Sequence, residues 1–185
     1  MKTPKFLATA IIAFTMLVSG AAVAQKSVMV GGAAMYPNKN IIENAVNSKD
    51  HTTLVAAVKA AGLVETLQGK GPFTVFAPTN AAFNKLPKGT VETLVKPENK
   101  ATLTKILTYH VVAGKWSAAD VAAAIKKGNG SAEVTTVQGG KLWFKMDGKD
   151  TWVIDEKGGK AKITIADVNQ SNGVIHVVDT VLMPK

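Results

Sequence analysis

One stretch constrains this chain more than any other: Gly71-Pro72-Phe73-Thr74-Val75-Phe76-Ala77-Pro78-Thr79-Asn80-Ala81-Ala82-Phe83-Asn84-Lys85-Leu86-Pro87. Phe73 to Phe76 are aromatic or β-branched and follow Gly-Pro punctuation, which predicts a strand. Pro78 has no N–H to give to a ladder and ends that strand. Thr79 and Asn80 are good helix N-caps, Ala81-Ala82-Phe83 reads as a helix start, and Pro87 closes the short helix. Strand, sharp corner and helix turn therefore follow one another directly. Such a corner plants Phe76 and Phe83 in one core.

Before the corner the apolar period is helical. Asn40 to Ser48 places Ile41, Ile42, Ala45 and Val46 on one face. Lys49-Asp50-His51 is a break. Thr52 or Thr53 can cap a second helix with Leu54, Val55, Val58 and Ala61 inward, ended by Gly62. After the corner, Val91 to Val95 reads as a short helix. Leu103, Ile106 and Leu107 form the face of the next, which runs into Tyr109-His110-Val111-Val112. Ser117 with Asp120 reads as a capping box for a further helix that buries Val121, Ala124 and Ile125.

From Ser131 the pattern changes to alternation. Strands are predicted over 133–137, 142–146, 151–154, 162–168 and 174–179, with a last one over 181–183. Gly139-Gly140, Asp147-Gly148, Gly158-Gly159 and Asn172-Gly173 supply the turns between them. Helices crowd the first half and an antiparallel sheet fills the second, which reads as one α+β domain.

The start of the chain reads differently. Lys2 and Lys5 precede an apolar run from Phe6 to Val18, and Ala22-Val23-Ala24 is a small-residue cleavage site. Residues 1–24 are therefore expected to be a cleaved export signal, with Gln25 as the new N-terminus. The run is short against the about 20 residues of a membrane-spanning helix, so no membrane-spanning role is expected. Residues 25–37 read as a flexible arm and residues 38–185 as the domain. Removing 24 of the 185 residues leaves 161, which suits one domain with its own core. A periplasmic or secreted location follows. The chain has no Cys, which excludes disulfides, thiolate metal sites and Cys nucleophiles.

The net charge is +9, of which Lys2 and Lys5 carry two, leaving +7 after the signal. Every cation is Lys and none is Arg. Arg is the residue that reads bases and phosphates bidentately, and these Lys are scattered, so no nucleic-acid partner is expected. Attraction to anionic envelope polymers remains open.

No residue pattern specifies catalysis. His51, His110 and His176 never stand three or four apart, so they make no metal pair on a helix. No Gly-x-Ser-x-Gly elbow is present. Asp179 and His176 lie three apart in one strand and so face opposite sides. Gly69-Lys70-Gly71 and the two Gly-Gly-Lys runs lack the context of a phosphate loop. Accordingly no catalytic, metal or cofactor residue is assigned and no enzyme activity is expected. Trp143 and Phe144 must face opposite sides of their strand, one into the core and one outward.

The corner motif resembles the first motif of the fasciclin (FAS1) domain family, whose core reads Thr-Val-Phe-Ala-Pro-Thr-Asp/Asn-x-Ala-Phe. Tyr109-His110-Val111-Val112 is similar to the family's central Tyr-His pair. The run Asn172-Gly173-Val174-Ile175-His176-Val177-Val178-Asp179 is similar to its C-terminal motif. The resemblance covers roughly Asn38 to Lys185. It implies a wedge-shaped antiparallel β-sandwich with helices packed at one end, and a non-enzymatic adhesion or surface-interaction module. A monomer is expected. It marks Phe76, Pro78, Thr79, Asn80, Phe83, Tyr109, His110, Gly173 and His176 as motif residues. Thr79, Asn80 and His110 are expected to hold the corner after Phe76 by side-chain hydrogen bonds.

In animal relatives the Tyr-His segment and an Asp-Ile pair are implicated in receptor (integrin) binding. The corresponding residues here are Tyr109, His110, Asp167 and Val168, with Ile165-Ala166 in place of the animal Glu-Pro. The resemblance thus implies a cell-surface or envelope partner, a protein or an anionic polymer. The second function it allows is a carrier of an apolar small molecule, a lipid or pigment.

Overall fold

The fold, a computed structural model, describes residues 26–185. The expected signal, residues 1–24, and its cleavage point at Gln25 lie outside the described residues.

The chain enters through a hairpin, β1 (Val28–Val30) and β2 (Ala33–Met35), paired antiparallel. Gly31 and Gly32 both have positive φ and make its turn. The stretch expected as a flexible arm, residues 25–37, thus contributes to the core, where Val30 and Met35 are each 1% exposed. Strands of three residues are too short to show a period of two, so only the fold discloses them.

Helix α1 (Ile41–Ala45) follows, with a complete capping box between Asn40 and Glu43. It is shorter than expected. Val46 falls on the C-cap and is exposed, and Asn44 takes the buried place instead. A 3₁₀ turn (Lys49–His51) leads into α2 (Thr52–Ala61), which Gly62 ends in the left-handed conformation. Then come α3 (Val64–Gln68), β3 (Phe73–Pro78), α4 (Asn80–Asn84), α5 (Thr90–Leu94) and α6 (Lys100–Tyr109). After β4 (Val111–Ala113), α7 (Ala118–Lys127) starts on the Ser117–Asp120 capping box. The remainder is β5 (Ala132–Thr135), β6 (Lys141–Asp147), β7 (Asp150–Ile154), β8 (Lys160–Gln170) and β9 (Gly173–Val178).

Among the described residues seven strands form one sheet in the order β4-β3-β9-β8-β7-β6-β5. The sheet curls until its edges nearly meet. Val112 bridges Thr136, and the Val137 N–H donates to the Val111 carbonyl at 2.7 Å. The α+β wedge with helices at one end is as the sequence implies. One pairing within it is not antiparallel, because β3 lies parallel to β9 from Phe73–Gly173 to Pro78–Val178. A strand from the first half of the chain is thereby inserted between β4 and β9. The expected last strand over 181–183 is a tail outside the sheet, with no regular secondary structure.

The curl divides the interior in two. One core packs α1, α2, α3 and α6 against the outer face of β3 and β9, with Leu54, Val58, Leu107, Val75 and Ile175 at its centre. The other fills the inside of the curled sheet beneath α7, around Phe76, Tyr109, Leu142, Phe144 and Leu182. Alternation along β3 decides the split. Val75 and Ala77 face the helices, and Phe76 faces the sheet interior. Phe144 is buried and Trp143 half-buried, as strand alternation requires.

Candidate functional site

The motif residues meet where β3, the end of α6 and β9 converge, but they do not form one cluster. Phe76 is fully buried, with its ring centroid 5.5 Å from Phe144 and 5.8 Å from His176. Phe83 lies across the sheet in the other core. The corner therefore plants its two Phe in separate cores, because one belongs to a strand face and the other to the helix that follows it. Pro78 is buried and ends β3, still in register with Val178.

The three side chains expected to hold the corner act at three places. Thr79 caps α4, its hydroxyl accepting from the Ala82 N–H at 3.2 Å. Asn80 reaches α2 instead. Its carbonyl oxygen accepts from the Thr53 N–H at 3.0 Å and the Thr52 hydroxyl at 3.2 Å, and its amide donates to the Lys49 carbonyl at 2.8 Å. It supplies a cap to a helix start that has none of its own.

His110 works at the far end of the chain. Nδ1 lies 2.9 Å from the Ile106 carbonyl, and Nε2 accepts the Leu182 N–H at 2.9 Å. A carbonyl only accepts and an N–H only donates, so the proton sits on Nδ1 and Nε2 is bare. Next to it, the Met183 N–H donates to Asp155 at 3.0 Å. Two successive amides thus pin the C-terminal tail. It is the His110 main chain that bonds to the corner, its carbonyl accepting the Phe76 N–H at 2.9 Å.

Tyr109 completes this junction on the other side. Its hydroxyl donates to the Lys141 carbonyl at 2.7 Å and accepts from the Glu156 N–H at 3.0 Å. The Tyr-His pair therefore ties the end of α6 to β6, to the turn after β7 and to the tail. Burial pushes the Tyr109 hydroxyl pKa up to about 12. Burial pulls the His110 imidazole down to about 4, with the Ile106 backbone and Asp155 opposing.

His176 is the complement of His110. Nε2 lies 2.7 Å from the Trp116 carbonyl, and Nδ1 accepts the Asp167 N–H at 3.3 Å. The proton is therefore on Nε2, the opposite tautomer. Asp167 sits at positive φ where β8 shifts register against β9. That bulge turns its carboxylate toward α7, where it accepts the Ala118 N–H at 2.7 Å. Burial lowers the His176 pKa as well.

Tyr109, His110 and Val168 are 0%, 2% and 0% exposed, and Asp167 is tied to α7. Of the four residues that the resemblance implies for partner contact, three thus have their side chains buried in the fold, and Asp167 is half-buried. Gly173 opens β9 where a Cβ would stand 2.1 Å from the Phe73 carbonyl oxygen.

The third histidine, His51, meets the Ser48 hydroxyl through Nδ1 at 2.9 Å, while its buried Nε2 has no hydrogen-bond partner. Burial lowers its pKa, with the Ala77 backbone and Asp50 opposing. The ring borders an apolar void of about 30 Å³ that is also lined by Met35, Leu54, Val58 and Leu107. Among the described residues no group of three His, Cys, Asp or Glu is arranged to hold a metal ion.

Sequence reasoning missed two polar residues. Asp155 is 4% exposed and shapes the β7–β8 turn through the N–H groups of Lys157 and Gly159 as well as holding the tail. Asn172 accepts from the Ile41 N–H at 3.1 Å and donates to the carbonyls of Leu67 and Gly69 at 2.8 and 3.0 Å. Its Asn-Gly signal reads as a turn, and nothing local discloses partners a hundred positions away.

The Fasciclin domain family model matches residues 49–184. Protein sll1483 of Synechocystis sp. is 52% identical over 161 residues, covering 86% of this chain and 82% of that protein. Cell surface glycolipoprotein MPB83 of Mycobacterium bovis is 36% identical over 160 residues, covering 84% of this chain and 64% of that protein. Among solved structures, a FAS1 domain pair from the insect cell adhesion molecule Fasciclin I matches with a TM-score of 0.71. That likeness covers 80% of this chain and 51% of the other at 18% identity, and is one of fold.

Proposed function

The chain belongs to the fasciclin domain family, and on that premise we propose that it is an exported, non-enzymatic surface-interaction module of the cell envelope. One observation carries the reading. The polar side chains of the motifs are committed inside the fold: His110 and His176 have both ring nitrogens occupied, and the Tyr109 hydroxyl both donates and accepts. A saturated ring neither takes a proton from a substrate nor ligates a metal. The outer surface, rich in Lys and carrying the net positive charge, is left to meet a partner.

The name of the mycobacterial relative, a cell surface glycolipoprotein, points the same way. The terminal Lys-flanked apolar run and its Ala-Val-Ala site support export to the periplasm or beyond. Among the described residues no helix is long and apolar enough to cross a membrane. The interior void of about 30 Å³ is an order of magnitude below the roughly 300 Å³ at which small-molecule pockets begin, so no observation favours the carrier reading.

The test is direct. Fluorescently labelled protein is added to host cells and to isolated envelope in a salt series. Saturable binding that weakens as salt rises supports the reading. Absence of binding at low salt, or turnover of a substrate by the purified protein, removes it.

A further inference from the structure

At the end of the sheet where β3 and β9 begin, an open groove of about 490 Å³ runs between the end of α3, the start of β3 and the β8–β9 turn. Its volume is that of a small-ligand pocket. We propose that this groove binds the carboxylate-bearing sugar residues of an acidic polysaccharide. The inference rests on the surface-interaction reading above and names a partner class for it.

The groove is preformed. Asn172 ties its three walls together, holding the Ile41 N–H of α1 and the Leu67 and Gly69 carbonyls at the end of α3, while its own main-chain carbonyl accepts the Phe73 N–H of β3 at 3.1 Å. Glycine lets these walls close up. A Cβ on Gly71 would stand 1.9 Å from the Asn172 carbonyl oxygen. A site whose walls are already bonded loses little freedom when a ligand enters.

The lining selects the ligand. Lys70 and Lys115 supply its charge, and no carboxylate lines it. Both lysines are exposed, and neither enters an ion pair among the described residues. Apart from Pro72 the remaining side chains are neutral and polar, with Asn40, Gln68 and Ser171 along the rim. Two unpaired ammonium groups with the Asn40 and Gln68 amides and the Ser171 hydroxyl match a ligand that alternates carboxylates with hydroxyls.

Other anions match less well. A peptide adding as a strand needs a free sheet edge, and β3 is paired on both sides. A peptide side chain needs an apolar pocket, and Pro72 is the lone apolar side chain in the lining. A lipid surface needs bulky apolar side chains to insert, and the groove offers only Pro72.

The purified exported protein is titrated calorimetrically at low salt with a galacturonate tetramer, a neutral galactose tetramer, a glutamate tetrapeptide and phosphatidylglycerol vesicles. The uronate should bind saturably, at least about ten-fold more tightly than the other three. The Lys70→Gln/Lys115→Gln double variant should weaken it about ten-fold with an unchanged melting temperature. Lys126→Gln/Lys127→Gln, which removes the same charge at the end of α7, should change it less than two-fold. Equal loss in the two double variants overturns the site, since only net charge would then matter. No saturable uronate binding overturns it too, as does equal binding of the peptide or the vesicles. If uronate fails while cell binding persists, the inference falls alone. If cell binding fails, the surface reading falls as well.

Discussion

His110 accepts the backbone N–H of Leu182 at 2.9 Å, joining positions 72 residues apart at a point where both are buried. The bond fixes the last stretch of chain over the mouth of the inner core. Leu182 itself, fully buried, then packs into that core. The central family motif is thus the anchor of the C-terminal tail.

His110→Ala should therefore destabilise the fold by about 3 kcal/mol. The variant leaves the Leu182 N–H unpaired in a dry site, at a cost of about 1–3 kcal/mol, and adds a cavity beside Ile106. For a domain of this size that is roughly 6–12 °C in melting temperature. Denaturant melts check it, with envelope binding measured well below the transition. An unchanged melting temperature together with lost binding would make His110 a contact residue after all.

Acid should unfold this protein through its buried histidines. In each of the three, burial holds the folded pKa below the ordinary 6.5, to about 4 at His110. Below 6.5 the unfolded chain takes up protons that the folded chain refuses, so stability falls as pH falls. The loss starts near pH 6.5 and, for His110, runs down to about pH 4, amounting to about 3 kcal/mol. Urea midpoints measured from pH 7.5 to 4 should drop steadily. In a His110→Gln background the drop should be shallower, and an identical slope would remove His110 from the account.

Asn80→Ala should cost about 1–2 kcal/mol, the range for losing a helix cap. The loss should appear at α2 rather than at α4. Asn80 holds the Thr53 N–H and the Lys49 carbonyl, whereas α4 keeps its own cap in Thr79. Hydrogen exchange resolves the two: faster exchange at the start of α2 with α4 unchanged is the expected result.

What could be read in the sequence was local. The strand over Phe73 to Pro78, the capping box of Ser117 with Asp120, the Gly62 stop and the hairpin turns of the second half each depend on a few neighbouring residues. What could not be read was long-range. The parallel pairing of β3 with β9 joins Phe73 to Gly173, and no local pattern encodes it. The same holds for the motif polar groups. Thr79 caps its own helix and was legible, whereas Asn80, Asp155 and Asn172 bond to elements far along the chain. The Asp167 bulge was invisible for a different reason: β8 reads as an unbroken strand, and only its pairing with β9 shifts register. A motif records which residue types are needed, but the partner that makes them necessary lies elsewhere in the fold.

Gly173→Ala should be among the most damaging single substitutions, although it adds one methyl group. The new Cβ would lie 2.1 Å from the Phe73 carbonyl oxygen and 3.0 Å from the Phe73 nitrogen, both backbone atoms that cannot swing away. Relief requires β9 to move off β3, and that parallel pair is the seam between the two halves of the chain. The cost should exceed about 3 kcal/mol, above the usual 1–3 of an overpacked core, because main chain rather than side chains must shift. Gly139→Ala is the control. Unlike Gly173 it has positive φ, and a Cβ there meets nothing within 4 Å, so it should cost about 1 kcal/mol from backbone strain alone. Comparable melts for the two variants would mean that the β3–β9 seam can open without loss, and the central place given to that pairing would be wrong.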